Sequence, residues 1–269
     1  MTDLVAAAMA AIDTGDVAEL ERLLLAHPTL ACTRLEAPTD GFFARPYLLW
    51  FVAEDPVRNG TLPANIADVA RAIIRSVARE CAPTLKEQLD YALLLVSWSW
   101  IARECGVQIP LLDVLVDAGA SPDAGPNNAL VNGNVDAAAH LVARGAPPTL
   151  ALALCLGRWE EASQLGVAAT AAQKQFALTL NAMRGNAEGV RRLITMGADV
   201  NAISEHLYSH ATALHQAVWS KSLETVRVLV EAGARLDVAD TAHHGTPLGW
   251  AQYGGSGYEA IVEYLVEVN

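Results

Sequence analysis

The stretch from Gly197 to Asp240 limits the fold more than any other part of the chain, because two kinds of helix punctuation recur in it at fixed offsets. It opens Gly197-Ala198-Asp199-Val200-Asn201-Ala202, runs through Thr212-Ala213-Leu214-His215 and closes on Gly233-Ala234-Arg235-Leu236-Asp237. A glycine just past the last apolar position ends a helix, and a threonine just ahead of an apolar run begins one. Downstream, Gly245-Thr246-Pro247-Leu248 restates the opening 34 residues after Thr212. Upstream, Gly185-Asn186-Ala187-Glu188 stands 12 residues before Gly197 as the turn inside the preceding unit. A period in the low thirties with paired helices reads as a helix-turn-helix solenoid, in which each unit buries its apolar face on the next.

These residues resemble the ankyrin repeat, whose pattern includes Thr-Pro-Leu-His, a glycine between two helices and a closing Gly-Ala-Asp-Val-Asn. The likeness is best over Phe176 to Ala202, Thr212 to Asp240 and Gly245 to the C-terminus, and it can be followed with degraded spacing back to Leu4. Arg45-Pro46-Tyr47-Leu48-Leu49, Leu94-Leu95-Val96-Ser97-Trp98 and Gly245-Thr246-Pro247-Leu248-Gly249-Trp250 look like a group of bacterial ankyrin proteins. The resemblance implies an all-α solenoid of about eight repeats, since stacked units need no division into separate cores. It implies one repeat domain over 1–269: a capping repeat at 1–35, divergent repeats over 36–166 with an insertion at 55–63, near-consensus repeats over 167–245, and a closing cap at 246–269.

Taken in order, the pattern predicts helices over Leu4 to Thr14 and Val17 to Ala26, a loop at Glu36 to Gly41, and a long helix from Asn65 to Arg79. Repeat three is expected to hold one elongated helix, Lys86 to Glu104, followed by Pro110 to Ala118 with proline at the first helical position. A short second helix, Arg158 to Leu165, is expected in repeat five, and Glu259, Glu263 and Glu267 form a solvated row on the last helix.

Composition narrows the partners. Apolar residues make up 52% and charged ones 18%, so the interior is built from Ala, Leu and Val in tightly stacked helices. The formal charge of −12 argues against nucleic acid and anionic membrane surfaces, and points to a protein partner with a neutral or basic surface, approached with salt-sensitive steering. Cys32, Cys81, Cys105 and Cys155 lie far apart with no Cys-x-x-Cys pair, which reads as reduced thiols in a cytoplasmic protein. The most apolar segment, Tyr91 to Ala102, is shorter than the roughly 20 residues a bilayer needs. Neither a signal peptide nor a cofactor is expected.

In ankyrin proteins the fingers and the first helix of each pair line a concave surface that binds partners. Carried over by position, the resemblance places exposed slots at Arg184, Trp219 and Tyr253 and finger slots at Tyr208 and His243. Trp219, Tyr208 and Tyr253 are the candidate apolar anchors, with Arg184 and His243 as polar rim, because large aromatic side chains anchor interfaces. His206, His210, His243 and His244 lie in two neighbouring fingers and are weak candidates for a metal or an acid-base pair, but no helical His-x-x-x-His fixes them and no metal is expected. His215 is expected to tie adjacent repeats together. No catalytic residue is assigned. The leading reading is a non-enzymatic protein-binding module acting through the C-terminal repeats. The alternative is an enzyme or small-molecule binder, with a pocket near the 55–63 insertion lined by Tyr47, Trp50, Trp98 and Trp100, or a site at the finger histidines. Oligomeric state cannot be read from the sequence.

Overall fold

The computed structural model of the protein describes residues 2–35, 45–54 and 57–269, and among them every regular element is helical. The loop expected at Glu36 to Gly41 and the first two insertion residues, Asp55 and Pro56, fall outside the described residues. The chain divides into two compact units, Met1–Pro147 and Pro148–Asn269.

The first unit is built from α1 (Thr2–Thr14), α2 (Val17–Ala26), α3 (Thr29–Cys32), a 3-10 helix (Leu48–Ala53), α4 (Ile66–Glu80), α5 (Ala82–Trp98), α6 (Trp100–Glu104), α7 (Gln108–Asp117), α8 (Gly125–Val131) and α9 (Val135–Ala143). One layer stacks α1, the 3-10 helix, α5 and α8; the other stacks α2, α4, α7 and α9. The reason is visible in α4, where Ile66, Val69, Ala70, Ile73 and Val77 are fully buried while Asp68, Arg71 and Arg75 face solvent. That three-to-four spacing makes one apolar stripe, which a solenoid helix must cover with its neighbours.

Three expectations change here. The elongated helix of repeat three is two helices, broken at Ser99, whose extended backbone ends α5 and whose Oγ accepts from the Ala102 N–H at 3.0 Å to start α6. A break of this kind strands carbonyls, and buried amides catch them: Gln108 Nε2 donates to Val96 O, Ser97 O and Ser99 O, and Asn134 Nδ2 to Ser97 O and Trp98 O. Helix α7 therefore starts at Gln108, not Pro110, and the proline sits within the first turn, where its missing N–H still costs no bond. Finally, Cys32 and Cys81 form a disulfide with Cα atoms 5.7 Å apart, although 49 residues separate them. Packing of α3 on α4, whose C-cap is Cys81, brings them together. The reduced-thiol expectation, which carried the cytoplasmic reading, thus fails for this pair. Cys105 and Cys155 are free.

The second unit pairs α10 (Leu150–Cys155) with α11 (Trp159–Ala168), α12 (Ala171–Met183) with α13 (Ala187–Thr195), α14 (Ala213–Trp219) with α15 (Leu223–Glu231), and α16 (Pro247–Gly254) with α17 (Glu259–Glu267). First helices α10, α12, α14 and α16 stack in sequence, and α13, α15 and α17 form a second layer. Helix α11 is a full ten residues, longer than its sequence suggested. Helix α12 starts ahead of Phe176 because Thr170 and Gln173 form a capping box. On α17 the row Glu259, Glu263 and Glu267 is exposed, as expected. No helix among the described residues is long and apolar enough to cross a membrane.

The turns that join two helices share one geometry at five glycines. Gly15, Gly106, Gly133, Gly157 and Gly185 take φ between +66° and +79°. Each donates its N–H to the carbonyl three residues back. That left-handed conformation is where a Cβ is penalised, so glycine is the residue expected.

Candidate functional site

The finger between α15 and α16 is wrapped around one carboxylate. Asp240 is buried, and its two oxygens accept from the N–H groups of Ala242 (2.9 Å), His243 (2.7 Å) and Gly245 (2.8 Å) and from the Trp250 indole (2.9 Å). Burial by itself would raise the Asp240 pKa, but the Trp250 bond and the three backbone N–H bonds outweigh it and hold the carboxyl far below the usual range. A Cβ on Gly245 would lie 2.8 Å from the Trp250 ring, so glycine is what lets the indole reach Asp240.

His215 joins this finger to the preceding repeat. Its Nδ1 accepts from the Thr212 N–H (3.3 Å) and lies 2.8 Å from Thr212 Oγ1, which makes Nε2 the donor to Gly245 O at 3.0 Å. Burial is the main influence on its pKa and lowers it, against the opposing pull of the Gly245 carbonyl, so the ring works as a neutral tie. The inter-repeat role expected of His215 is the one observed.

Around this frame lies a row of rings. His210 stacks on Trp250 with centroids 6.2 Å apart, Tyr208 meets His210 edge-on at 6.0 Å, and Trp219 meets Trp250 edge-on at 6.5 Å. The row runs from the finger before α14, across α16, to the C-terminal end of α14. Tyr208 is 42% exposed and Trp219 64%. Tyr253 is 95% exposed and stands one turn beyond Trp250 on α16, but among the described residues the ring contacts do not reach it. Arg184 is exposed at the C-cap of α12, and His243 is exposed with its N–H committed to Asp240. The structure therefore links two of the three predicted anchors through Trp250, a residue the position-by-position transfer did not select. Its signal was present: Gly249 stands where the repeat pattern has histidine, and removing that side chain beside a tryptophan changes what the first helix displays.

The alternatives fare differently. Asp240 is already occupied by four donors, His210 is stacked, and among the described residues no three His, Cys, Asp or Glu side chains converge as a metal site. Cys155 is a poor nucleophile, because burial, only partly opposed by Arg184, pushes its thiol up to about 11. Tyr47 and Trp50 are buried; the Trp50 indole donates to Gln88 O at 3.2 Å and its ring meets Tyr91 at 4.3 Å. They fill the core. Trp98 and Trp100 are about half exposed, on either side of the break at Ser99. The four rings proposed as a pocket lining do not share one environment.

A protein-family model described as ankyrin repeats, in three copies, matches residues 127–240 and 178–269, which together cover more than half of the chain. The chain belongs to the ankyrin-repeat family. Ankyrin repeats are in general protein-protein interaction modules. A comparison with curated proteins found no match.

Proposed function

We propose that this chain is a non-enzymatic binding module that seats a protein partner on the first-helix face of its C-terminal repeats. Trp219 and Tyr208 act as linked apolar anchors, Tyr253 as a separate one, and Arg184 and His243 as polar rim. The observation that carries the reading is an indole left 64% exposed at the end of a row of packed rings. Burying such a side chain against a partner yields far more than leaving it in water, and aromatic anchors dominate interface energetics. The rings behind it are fixed by Asp240 and His215, so the face is preorganised and little ordering cost remains on binding.

Trp219→Ala is the test. Affinity for the partner is expected to fall about thirtyfold, the loss typical of an interface hot spot, while thermal stability hardly moves. A large drop in melting temperature with affinity intact would make Trp219 a packing residue and end the proposal.

A further inference from the structure

The whole-chain charge suggested a neutral or basic partner, but charge is not spread evenly over the C-terminal unit. The first helices α10, α12, α14 and α16 contain no Asp or Glu, whereas α11, α13, α15 and α17 carry eight, from Glu160 to Glu267. Among the helices the acids lie on the layer that does not bear the rings, and the fingers add Asp199, Glu205, Asp237 and Asp240 away from the end of α14 that carries Trp219.

Two cations near Trp219 have no carboxylate partner. In this unit Arg158, Arg191, Arg192 and Arg235 all pair with acids. Among the described residues four cations of this unit pair with no acid: Lys174 is held by Met196 O at 2.8 Å, Arg227 lies over the Tyr264 ring, and Arg184 and Lys221 remain. These last two sit on neighbouring turns: a Cβ on Gly185 would lie 2.9 Å from the Ser222 side chain and 3.3 Å from Ser220 Oγ, which places the turn after Arg184 against the turn that holds Lys221. Trp219 precedes Lys221 by two residues.

Lys221 also breaks the turn rule. It occupies the position filled by Gly15, Gly106, Gly133, Gly157 and Gly185 in other pairs, makes the same N–H bond three residues back (to Val218 O, 2.9 Å), and takes φ +61°. A side chain is tolerated there at the cost of backbone strain, and strain retained against an easy glycine solution points to a use for the side chain. Part of that use is local, since Nζ lies 4.8 Å over the Tyr258 ring and 3.4 Å from Ser256 O. Neither neighbour neutralises its charge.

We propose that the segment bound on this face is an acidic linear peptide carrying an apolar side chain, its carboxylates held by Arg184 and Lys221 and its apolar group by Trp219. This gives a partner chemistry to the binding reading above and rests on it. A nucleic acid is the poorer fit, because two full cations release few counterions.

The experiment is selection of random linear peptides, displayed on phage, against the full chain, followed by anisotropy with the enriched peptides labelled. Enriched sequences are expected to be rich in Asp and Glu around an aromatic, leucine or proline, and to bind more weakly as salt rises. Arg184→Gln and Lys221→Gln should each weaken them about two- to fivefold, the effect of one exposed ion pair, and Trp219→Ala about thirtyfold. Neutral or basic peptides that still depend on Trp219 would overturn the acidic class and leave the binding face standing. Enrichment that ignores Trp219 would overturn both. Lys221→Gln that lowers melting temperature without touching affinity would confine Lys221 to its tie with Tyr258, and tighter Trp219-dependent binding of a labelled oligo-dT would make the ligand a nucleic acid.

Discussion

In the N-terminal unit, the backbone groups freed by irregular spacing are met one at a time by side chains, Gln108 of the same repeat and Asn134 of the next reaching the carbonyls around Ser99 and Glu54 the N–H groups of Arg58, Asn59 and Gly60, and a disulfide ties α3 to the end of α4. In the C-terminal unit the same needs are met by positions that recur with the repeat, a threonine before α12, α14 and α16 and a polar residue before α13 and α15. The difference is where polar side chains are consumed. Irregular repeats place buried amides and carboxylates where a helix breaks or an insertion turns, while regular ones are capped at recurring positions, with the amides of Gln175 and Asn186 tying one repeat to another, and display rings at the end of α14 and on α16.

In the regular unit Asp240 is the buried carboxylate that gathers four donors, and removing it should have the largest effect. Asp240→Ala leaves the Trp250 indole and three N–H groups without their acceptor and is expected to destabilise by about 3 kcal/mol, the scale of losing a buried charged acceptor; a change below about 1 kcal/mol by urea denaturation would mean the cap threonines alone hold the unit. The same residue sets an acid limit. A carboxyl whose folded pKa lies below its unfolded value of about 3.9 contributes stability above that pH and loses it as pH falls toward the folded value. Acid unfolding followed by circular dichroism should therefore begin below about pH 4, and flatten in Asp240→Ala.

Next in size is the crosslink. Reducing Cys32–Cys81, which are separated by 49 residues, should destabilise the N-terminal unit by about 2–4 kcal/mol by freeing the unfolded chain. Urea curves with and without dithiothreitol measure this, and coincident curves would show that packing around α4 already supplies the constraint. The smallest effect is expected at Lys221→Gly, a rise of about 0.5 kcal/mol, since relief of the left-handed strain exceeds the lost cation-π contact with Tyr258. A fall in melting temperature would instead rank the Tyr258 contact above the strain.

The same contrast explains what was legible in the sequence. Helix pairs, the glycine turns and the His215 tie are local or recur at a fixed period, so Gly197, Thr212 and Gly233 announce them. The break at Ser99 was not legible, because the residues that make it affordable are Gln108 and Asn134, 9 and 35 positions away. Nor was the disulfide, since α3 and α4 are not consecutive elements and no period of the pattern sets their packing. At the candidate site Tyr208 and Trp219 followed from repeat position, but Trp250 did not: Gly249 marks the helix as irregular, while what fixes the ring is the Asp240 carboxylate of the preceding finger and the missing side chain at Gly245, a three-dimensional meeting that repeat position does not give.

The Cys32–Cys81 bond has a mechanical consequence as well. Tension applied to the chain ends is carried through the sulfur bridge, so the 49-residue separation it closes bears no load and stays short while the repeats around it are drawn out. The fully stretched oxidised chain is shorter than the reduced one by about 160–175 Å, from about 3.3–3.6 Å per residue. A force-extension trace would read the redox state of this one bond as a difference in length.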